Sequence, residues 1–446
     1  MLDALSERPV RLIVGAQALS LVGSGAAPVA LTFGILDHHG GAGAVGAVGA
    51  AGGISFALLL LPAGVVADRL PRRRVAAAAD LGRAAAMAGT TAVLAFVHGG
   101  VVVPLFLLGL LWGGSRAFFT PTLTGLIPEL VPQDRLREAN SLRNIAVSAG
   151  LAVGPALGGV VIAVAGPAAG ALVALCGYLG SVSLLYRLPP VPPPPRSDTH
   201  PLTDLAVGLR EVRSRPWCWS TIVSAAALHL LALGPMFVFG PIVAKESLGG
   251  AAPWGAIAAA EGIGGVVGAM WAGHLHLRRA LPTALVLSVA GAPVFVTLAL
   301  RLPLGYELPA SALLGLIFGI FGVIWETELQ TRIPRAALSR VSSVDWLGST
   351  ATYPLGQGLA GLEAGLIGVS GGLYLGAVAM VLFGVSPLLL PEVRHLETAT
   401  TREDAGGALI PGGVLAPAAT ADLAASAASG TPAVGEVAPR PPLAQD

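Results

Sequence analysis

Charge is what this sequence has least of. Only 11% of its 446 residues are Asp, Glu, Lys or Arg, against roughly 25% in an ordinary soluble domain. With 54% hydrophobic residues, the chain has too little polar surface to face water on all sides. That excludes a soluble globular protein and makes lipid the expected solvent. A net charge of +1 excludes the strong basic field that nucleic-acid binding needs. The two cysteines, Cys176 and Cys218, lie in separate apolar stretches, so neither a disulfide framework nor a CxxC metal site is available. No P-loop, HExxH or GxSxG pattern occurs. The chain is therefore not its own ATPase, no enzyme activity is expected, and no cofactor is implied. Uphill work would have to draw on an ion gradient, with protons the expected ion.

What the sequence has instead is long apolar runs. A membrane span needs about 20 mainly apolar residues, and runs of that kind occupy 11–35, 44–67, 75–97, 101–127, 139–165, 168–187, 217–243, 253–274, 282–300, 308–328, 341–367 and 371–391. The first is too long for the core of a cleavable signal peptide and reads as the first span. The pattern predicts an all-α membrane protein of twelve helices in two six-helix bundles, 1–187 and 217–391. The linker, 188–216, opens with Pro189, Pro190 and Pro192 to Pro195, a stiff spacer. It continues into Leu202 to Arg215, which reads as an amphipathic surface helix. The tail, 392–446, is polar and low in complexity, and 397–446 reads as disordered.

Orientation follows from the basic residues. Placing both termini in the cytoplasm puts twenty-two arginines on the inner side and only Lys245 and Arg301 outside. Arg83 and Arg116 fall inside spans. The scarcity of lysine beside abundant Ala, Gly and Pro resembles GC-rich bacterial coding, so a multi-pass protein of a bacterial plasma (inner) membrane is expected. Its partners would be the bilayer and a small-molecule substrate, and it is expected to act as a monomer.

The two halves resemble each other at an offset of 202: Pro132-Gln-Asp-Arg-Leu-Arg parallels Pro334-Arg-Ala-Ala-Leu-Ser, Gly154 falls on Gly356 and Gly159 on Gly361. A parallel repeat of this kind places a substrate site between the halves near the bilayer midplane.

Gly64-Val-Val-Ala-Asp68-Arg69-Leu-Pro71-Arg72-Arg73 is similar to the loop signature G-x-x-x-D-R-x-G-R-[RK] of the major facilitator superfamily, with Pro71 where glycine is usual. In the second half His274 stands where the acid would be. Arg116-Ala-Phe-Phe-Thr-Pro121 through Pro132-Gln-Asp-Arg135 to Ala139-Asn140, and Gly150-Leu-Ala-Val-Gly154-Pro155-Ala-Leu-Gly158-Gly159, resemble the macrolide, multidrug and siderophore exporters of that superfamily. The second stretch is similar to their antiporter signature. The resemblance covers residues 10–391. It implies alternating access and proton-driven export of a hydrophobic or amphipathic compound. Export of a siderophore or metabolite, or a facilitator or importer on the same fold, are the alternatives. It also implies that Asp68, with Arg69, Arg72 and Arg73, latches onto the start of the eleventh helix near Arg340 and Asp345.

Individual residues sharpen this picture. Gly150, Gly154 and Gly158 line one face of the fifth span, and Gly264 and Gly268 one face of the eighth. Small faces allow close backbone approach, so these two spans, with Pro155 and Gly159, are expected to meet between the halves. Glu261 lies mid-span without a charged neighbour within a turn. It can exchange a proton or pair with a cationic ligand, or simply hydrogen-bond a neighbouring helix. Asp80 and Arg83 are spaced to pair on one helix face, and Arg116 is expected to join them as a structural or gating cluster. Glu326, Glu328 and Asp345 are placed to meet Arg332, Arg335 and Arg340. Gln17, His229, Trp346, Tyr353 and Gln357 are candidates to line a cavity, His229 with a second reading as a titrating group. Trp254 fits an interfacial aromatic as well as a cavity wall.

Overall fold

Lipid offers no partner for a backbone N–H or C=O, and the chain meets that constraint with helices throughout. The computed structural model describes residues 7–67, 69–131, 136–190, 201–275 and 277–398. Among them, α1 (Arg8–Asp37), α2 (Ala42–Ala67), α3 (Arg72–Phe96), α4 (Val102–Leu130), α5 (Leu136–Ala165) and α6 (Pro167–Tyr186) are the six spans of the first half. A short helix, α7 (Pro201–Arg213), follows in the linker.

In the second half several spans are broken. The seventh is α8 (Pro216–Leu228) and α9 (Gly234–Val243), joined by a π turn at His229–Leu233. The eighth is α10 (Ala251–Ala272). The ninth is α11 (Ala280–Ser288) and α12 (Pro293–Ala299), and the tenth is α13 (Leu304–Arg332). The seventh span ends in another π turn at Ala244–Leu248, and the eleventh begins as α14 (Arg335–Asp345), passes a third π turn at Trp346–Thr350 and enters α15 (Thr352–Val385). Gly368, with φ 75° and ψ 167°, breaks α15 into the end of the eleventh span and the twelfth. Only glycine adopts that φ freely. Among the described residues two spans are not long apolar helices: α3, which buries Asp80 and Arg83, and α5, where Ala152–Ala165 forms a shorter apolar stretch.

The described fold runs past the expected end of the second bundle at 391. A short helix, α16 (Pro391–Arg394), buries Val393. Thr398 then fixes the chain to the loop before α11. Its Oγ1 accepts from the Ala280 N–H at 2.9 Å and donates to the Leu277 carbonyl at 2.6 Å, and its own N–H donates to the Arg278 carbonyl at 2.8 Å. This side chain supplies the N-terminal cap that α11 lacks locally. The start of the tail is therefore part of the folded body. The rest of the tail, from 399, and the prolines Pro192 to Pro195 lie outside the described residues. The linker helix is present and packs on α14: a methyl at Gly208 would lie 2.5 Å from the Arg340 carbonyl.

The internal repeat is visible in the packing. Gly154 seats α5 on α1, where a methyl would lie 2.9 Å from Gly25 Cα, and its counterpart Gly356 seats α15 on the seventh span, 2.5 Å from the Leu230 carbonyl. Gly159 and Gly361 reach across to the opposite half instead. A methyl on Gly159 would meet the Ala251 carbonyl of α10 at 2.5 Å, and one on Gly361 would meet Gly43 Cα of α2 at 2.6 Å. The same two positions of the repeat thus perform the same two tasks, one within a half and one between halves.

Neither Gly154 nor Gly356 has room for a Cβ without backbone movement. Gly154→Ala and Gly356→Ala should each destabilise by about 1–3 kcal/mol, the usual range for overpacking. Lower melting temperatures for both variants in detergent would bear this out, and unchanged values would refute the assigned contacts.

Candidate functional site

A cavity of about 700 Å³ lies between the halves. The first half contributes Ser24, Pro28, Phe56, Trp112 and Arg116, and the second His229, Phe237, Trp254, Glu261, Trp346, Tyr353 and Gln357. The π turns at His229–Leu233 and Trp346–Thr350 border it, through His229 and Trp346. Such turns interrupt the regular ladder and often mark functional positions. His229 Nδ1 is held to the Ala225 carbonyl at 2.8 Å, and its ring meets Tyr353 edge-on at 6.0 Å. Phe237 links Tyr353 (5.6 Å) to Trp254 (6.1 Å), and Phe56 faces Trp346 across the two halves at 6.4 Å. Trp254 is 5% exposed, so it belongs to this wall and not to an interfacial belt.

The cavity extends past Leu60, Ala269 and Trp346 toward the arginine-bearing ends of the helices and is sealed at the other end. There Gly159 meets α10, Gly43 and Gly46 of α2 meet Gly361 and Gln357, and Gly53 packs on Pro354. Lys245 Nζ also donates to Asp37 at 2.7 Å, an exposed pair bridging the halves.

The fifth and eighth spans do meet, with Gly159 and Pro155 at the contact as expected, but Gly255 and Gly262 stand opposite them in place of Gly264 and Gly268. Gly159, Gly255 and Gly262 form the contact, with Gly255 set against the Pro155 carbonyl. Gly150, Gly154 and Gly158 pack on Leu21, Gly25 and Ala26 of α1, and Gly264 and Gly268 on Ala312 and Leu316 of α13. Those faces hold each half together. The correction has a simple geometric cause: a helix with small residues on two faces can offer one to its own bundle and the other across the interface.

Asp80 and Arg83 form a buried ion pair. Ser20 donates to Asp80 at 3.2 Å, Arg83 donates to Ser24 Oγ at 3.2 Å, and the guanidinium lies between Phe119 (4.2 Å) and Tyr178 (4.7 Å). Tyr178 donates to Ser24 at 3.3 Å and accepts from Trp112 Nε1 at 2.9 Å. The pair is thereby tied to the cavity wall at Ser24 and Trp112. Arg116 does not join it. Its guanidinium faces the cavity, over Phe56 (5.0 Å) and Trp112 (5.9 Å), while Asp80 is taken by Arg83. Gln17 is not a cavity residue either. It is 6% exposed, on the buried stripe of α1 that also carries Ser20.

At the arginine-bearing end, Arg72 donates to Glu129 at 2.6 Å and Arg73 to the Leu188 carbonyl at 2.5 Å, both within the first half. Arg69 is exposed. Asp68, and the stretch 132–135, lie outside the described residues. On the other side Glu328 pairs with Arg332 as expected, whereas Asp345 accepts from Trp325 Nε1 at 3.0 Å and so turns inward to an indole. Arg340 presents its backbone to the linker helix.

Sequence reasoning passed over Ser20, Ser24, Phe119 and Tyr178, which define the ion-pair cage, and Phe56 and Trp112, which carry Arg116. It also passed over Glu307, which is fully buried and bonded to Thr297 at 3.0 Å. Mid-span serines and aromatics carry no periodic signal. Glu307 could have been found by the same criterion that singled out Glu261, an acid inside an apolar run.

The chain matches the Major Facilitator Superfamily over residues 13–345, and the chain belongs to that family. It is a multi-pass membrane protein of a transporter family, not an enzyme. Among curated proteins it is similar to "Multidrug efflux pump Tap" of Mycolicibacterium fortuitum, 29% identical over 413 residues, which cover 88% of this chain and 98% of the relative. It is also similar to "Enterobactin exporter EntS" of Escherichia coli, 28% identical over 350 residues, 77% and 82% of the two chains. Among solved structures, the nucleoside transporter NupG superposes with a TM-score of 0.70 at 14% identity, covering 85% of this chain and 99% of that one; that likeness concerns the fold.

Removing one member of a buried ion pair leaves the other uncompensated, at a cost of about 3–5 kcal/mol. Arg83→Gln should therefore sharply lower the yield of folded protein, and Asp80→Asn in the same chain should restore it. Gel filtration of the single and double variants decides the matter; equal yields would show that the pair is not structural.

Proposed function

We propose that this chain is a proton-coupled exporter of a small hydrophobic or amphipathic compound, working by alternating access. The observation that carries the reading is the aromatic cavity between the halves, closed at one end only, with the carboxyl of Glu261 on its wall. Its size suits a drug-sized ligand. Efflux and siderophore-export relatives of nearly full length support the direction of transport, and the siderophore exporter favours a natural product as the physiological cargo.

In this reading both termini lie in the cytoplasm of a bacterium, as the arginine-rich loops support, so the cavity's arginine-bearing end faces inward from the inner membrane. This conformation is then the inward-facing one, ready to load from the cytoplasm. Transport requires the glycine contacts on the outer side to part while the inner ends close. Asp68 with Arg69, Arg72 and Arg73 is the inner latch in this scheme, engaged only when the inner end shuts. The bundles 1–187 and 217–391 move as the two rocking bodies of a monomer. Glu261 releases its proton to the cytoplasm and takes up cargo in exchange, and no cofactor is needed beyond the proton gradient.

Two variants test the scheme. Glu261→Gln keeps the shape but cannot exchange a proton, so efflux driven by a pH gradient in inverted vesicles should vanish while folded protein remains in the membrane. Undiminished efflux would remove Glu261 from coupling. Gly159→Leu places a side chain against the Ala251 carbonyl, so the outer end cannot close. Loss of export with unchanged membrane insertion is expected, and normal turnover would argue against an outer gate at this contact.

A further inference from the structure

Two opposite charges face the same cavity from opposite halves, and they are not used on each other. Arg116 comes from α4 and Glu261 from α10. Among the described residues neither makes a hydrogen bond or an ion pair, and Arg116 is held only by the faces of Phe56 and Trp112. Stacking of this kind fixes a guanidinium while leaving its N–H edge free for a planar anion. Tyr353 lines the same cavity and lies within electrostatic reach of both charges. The carboxylate that could have neutralised Arg116 within its own bundle is taken by Arg83.

Resting on the exporter reading, we propose that the cargo is an aromatic zwitterion. Its carboxylate or other planar anionic group docks on Arg116, its cationic end on Glu261, and a flat apolar body spans Trp112, Phe56 and Tyr353. An unpaired charge in a site of low dielectric is costly. A ligand that brings both countercharges satisfies both sites at once, whereas a simple lipophilic cation leaves Arg116 unmatched. The cavity thus favours amphoteric compounds over simple lipophilic cations.

Rhodamine B, which carries a carboxylate beside its cationic ring system, and its ethyl ester, which keeps only the cation, are a matched pair of probes. Dye anisotropy with the full chain in nanodiscs gives both affinities. The native protein should bind the acid about tenfold or more tighter than the ester, the scale of one charge-assisted hydrogen bond. Arg116→Gln should collapse that ratio toward one, and Arg116→Lys should retain part of it. An ester bound as tightly as the acid, or binding of neither dye, overturns the proposal using the native chain alone, whatever the variants do. So does a ratio that survives Arg116→Gln. Efflux of the two dyes from energised vesicles separates this from the underlying reading. A protein that exports the ester without preferring the acid sinks the zwitterion proposal and leaves export standing. One that binds the acid preferentially but moves neither dye sinks export.

Discussion

The two halves touch backbone to backbone at one end, and among the described residues the cavity opens where that intimacy ends. In lipid there is little hydrophobic drive for helices to associate, so close packing decides which faces meet. Gly159 against Ala251 and Gly255, and Gly361 against Gly43, bring four helices into contact at a distance that any side chain would prevent. The exposed Asp37–Lys245 pair spans the same seam, but a solvated pair contributes at most about 1 kcal/mol. The seal is therefore a matter of shape, and it is symmetric because the repeat supplies it twice.

The distribution of charge follows a second logic. Asp80 and Arg83 are enclosed by Ser20, Ser24, Phe119 and Tyr178, so nothing in their surroundings leaves room for another partner. Arg116 and Glu261, one on each side of the cavity, have surroundings that leave room. A half that has neutralised its own interior can present its remaining charge to a ligand. The hydrogen bonds to Ser24 and from Trp112 through Tyr178 mean that the wall presenting Arg116 is anchored to this buried ion pair.

Most of the fold was legible from the sequence, because apolar run length is a strong, additive signal. The repeat was legible too: the offset that paired Gly154 with Gly356 and Gly159 with Gly361 corresponds to matching contacts in space. The site was legible in part. Glu261, His229, Trp346, Tyr353 and Gln357 do line one cavity, since polar or aromatic residues in an apolar run have few other places to go. What misled was the use of spacing to choose a partner. Gly150, Gly154 and Gly158 have the right period for close packing, yet period says nothing about which helix lies opposite. Arg116 was grouped with Asp80 and Arg83 by depth along the chain, but depth does not give azimuth around the helix axis. Gln17 failed for the same reason. Asp345 was matched to arginines by charge, and the indole of Trp325 on the preceding span was invisible to that reasoning.

The widened turns at His229–Leu233 and Trp346–Thr350 each hold one residue more than a regular α-helical turn would. Each residue of an α-helix advances the azimuth by roughly 100°. The surplus residue therefore sets which side chains of the downstream segment point inward: Phe237 and Pro241 after the first turn, Tyr353 and Gln357 after the second. Two one-residue insertions act as angular settings for the pocket lining, so a relative that gained or lost a residue at either place would present a rotated set of side chains to its cargo without any change in its spans.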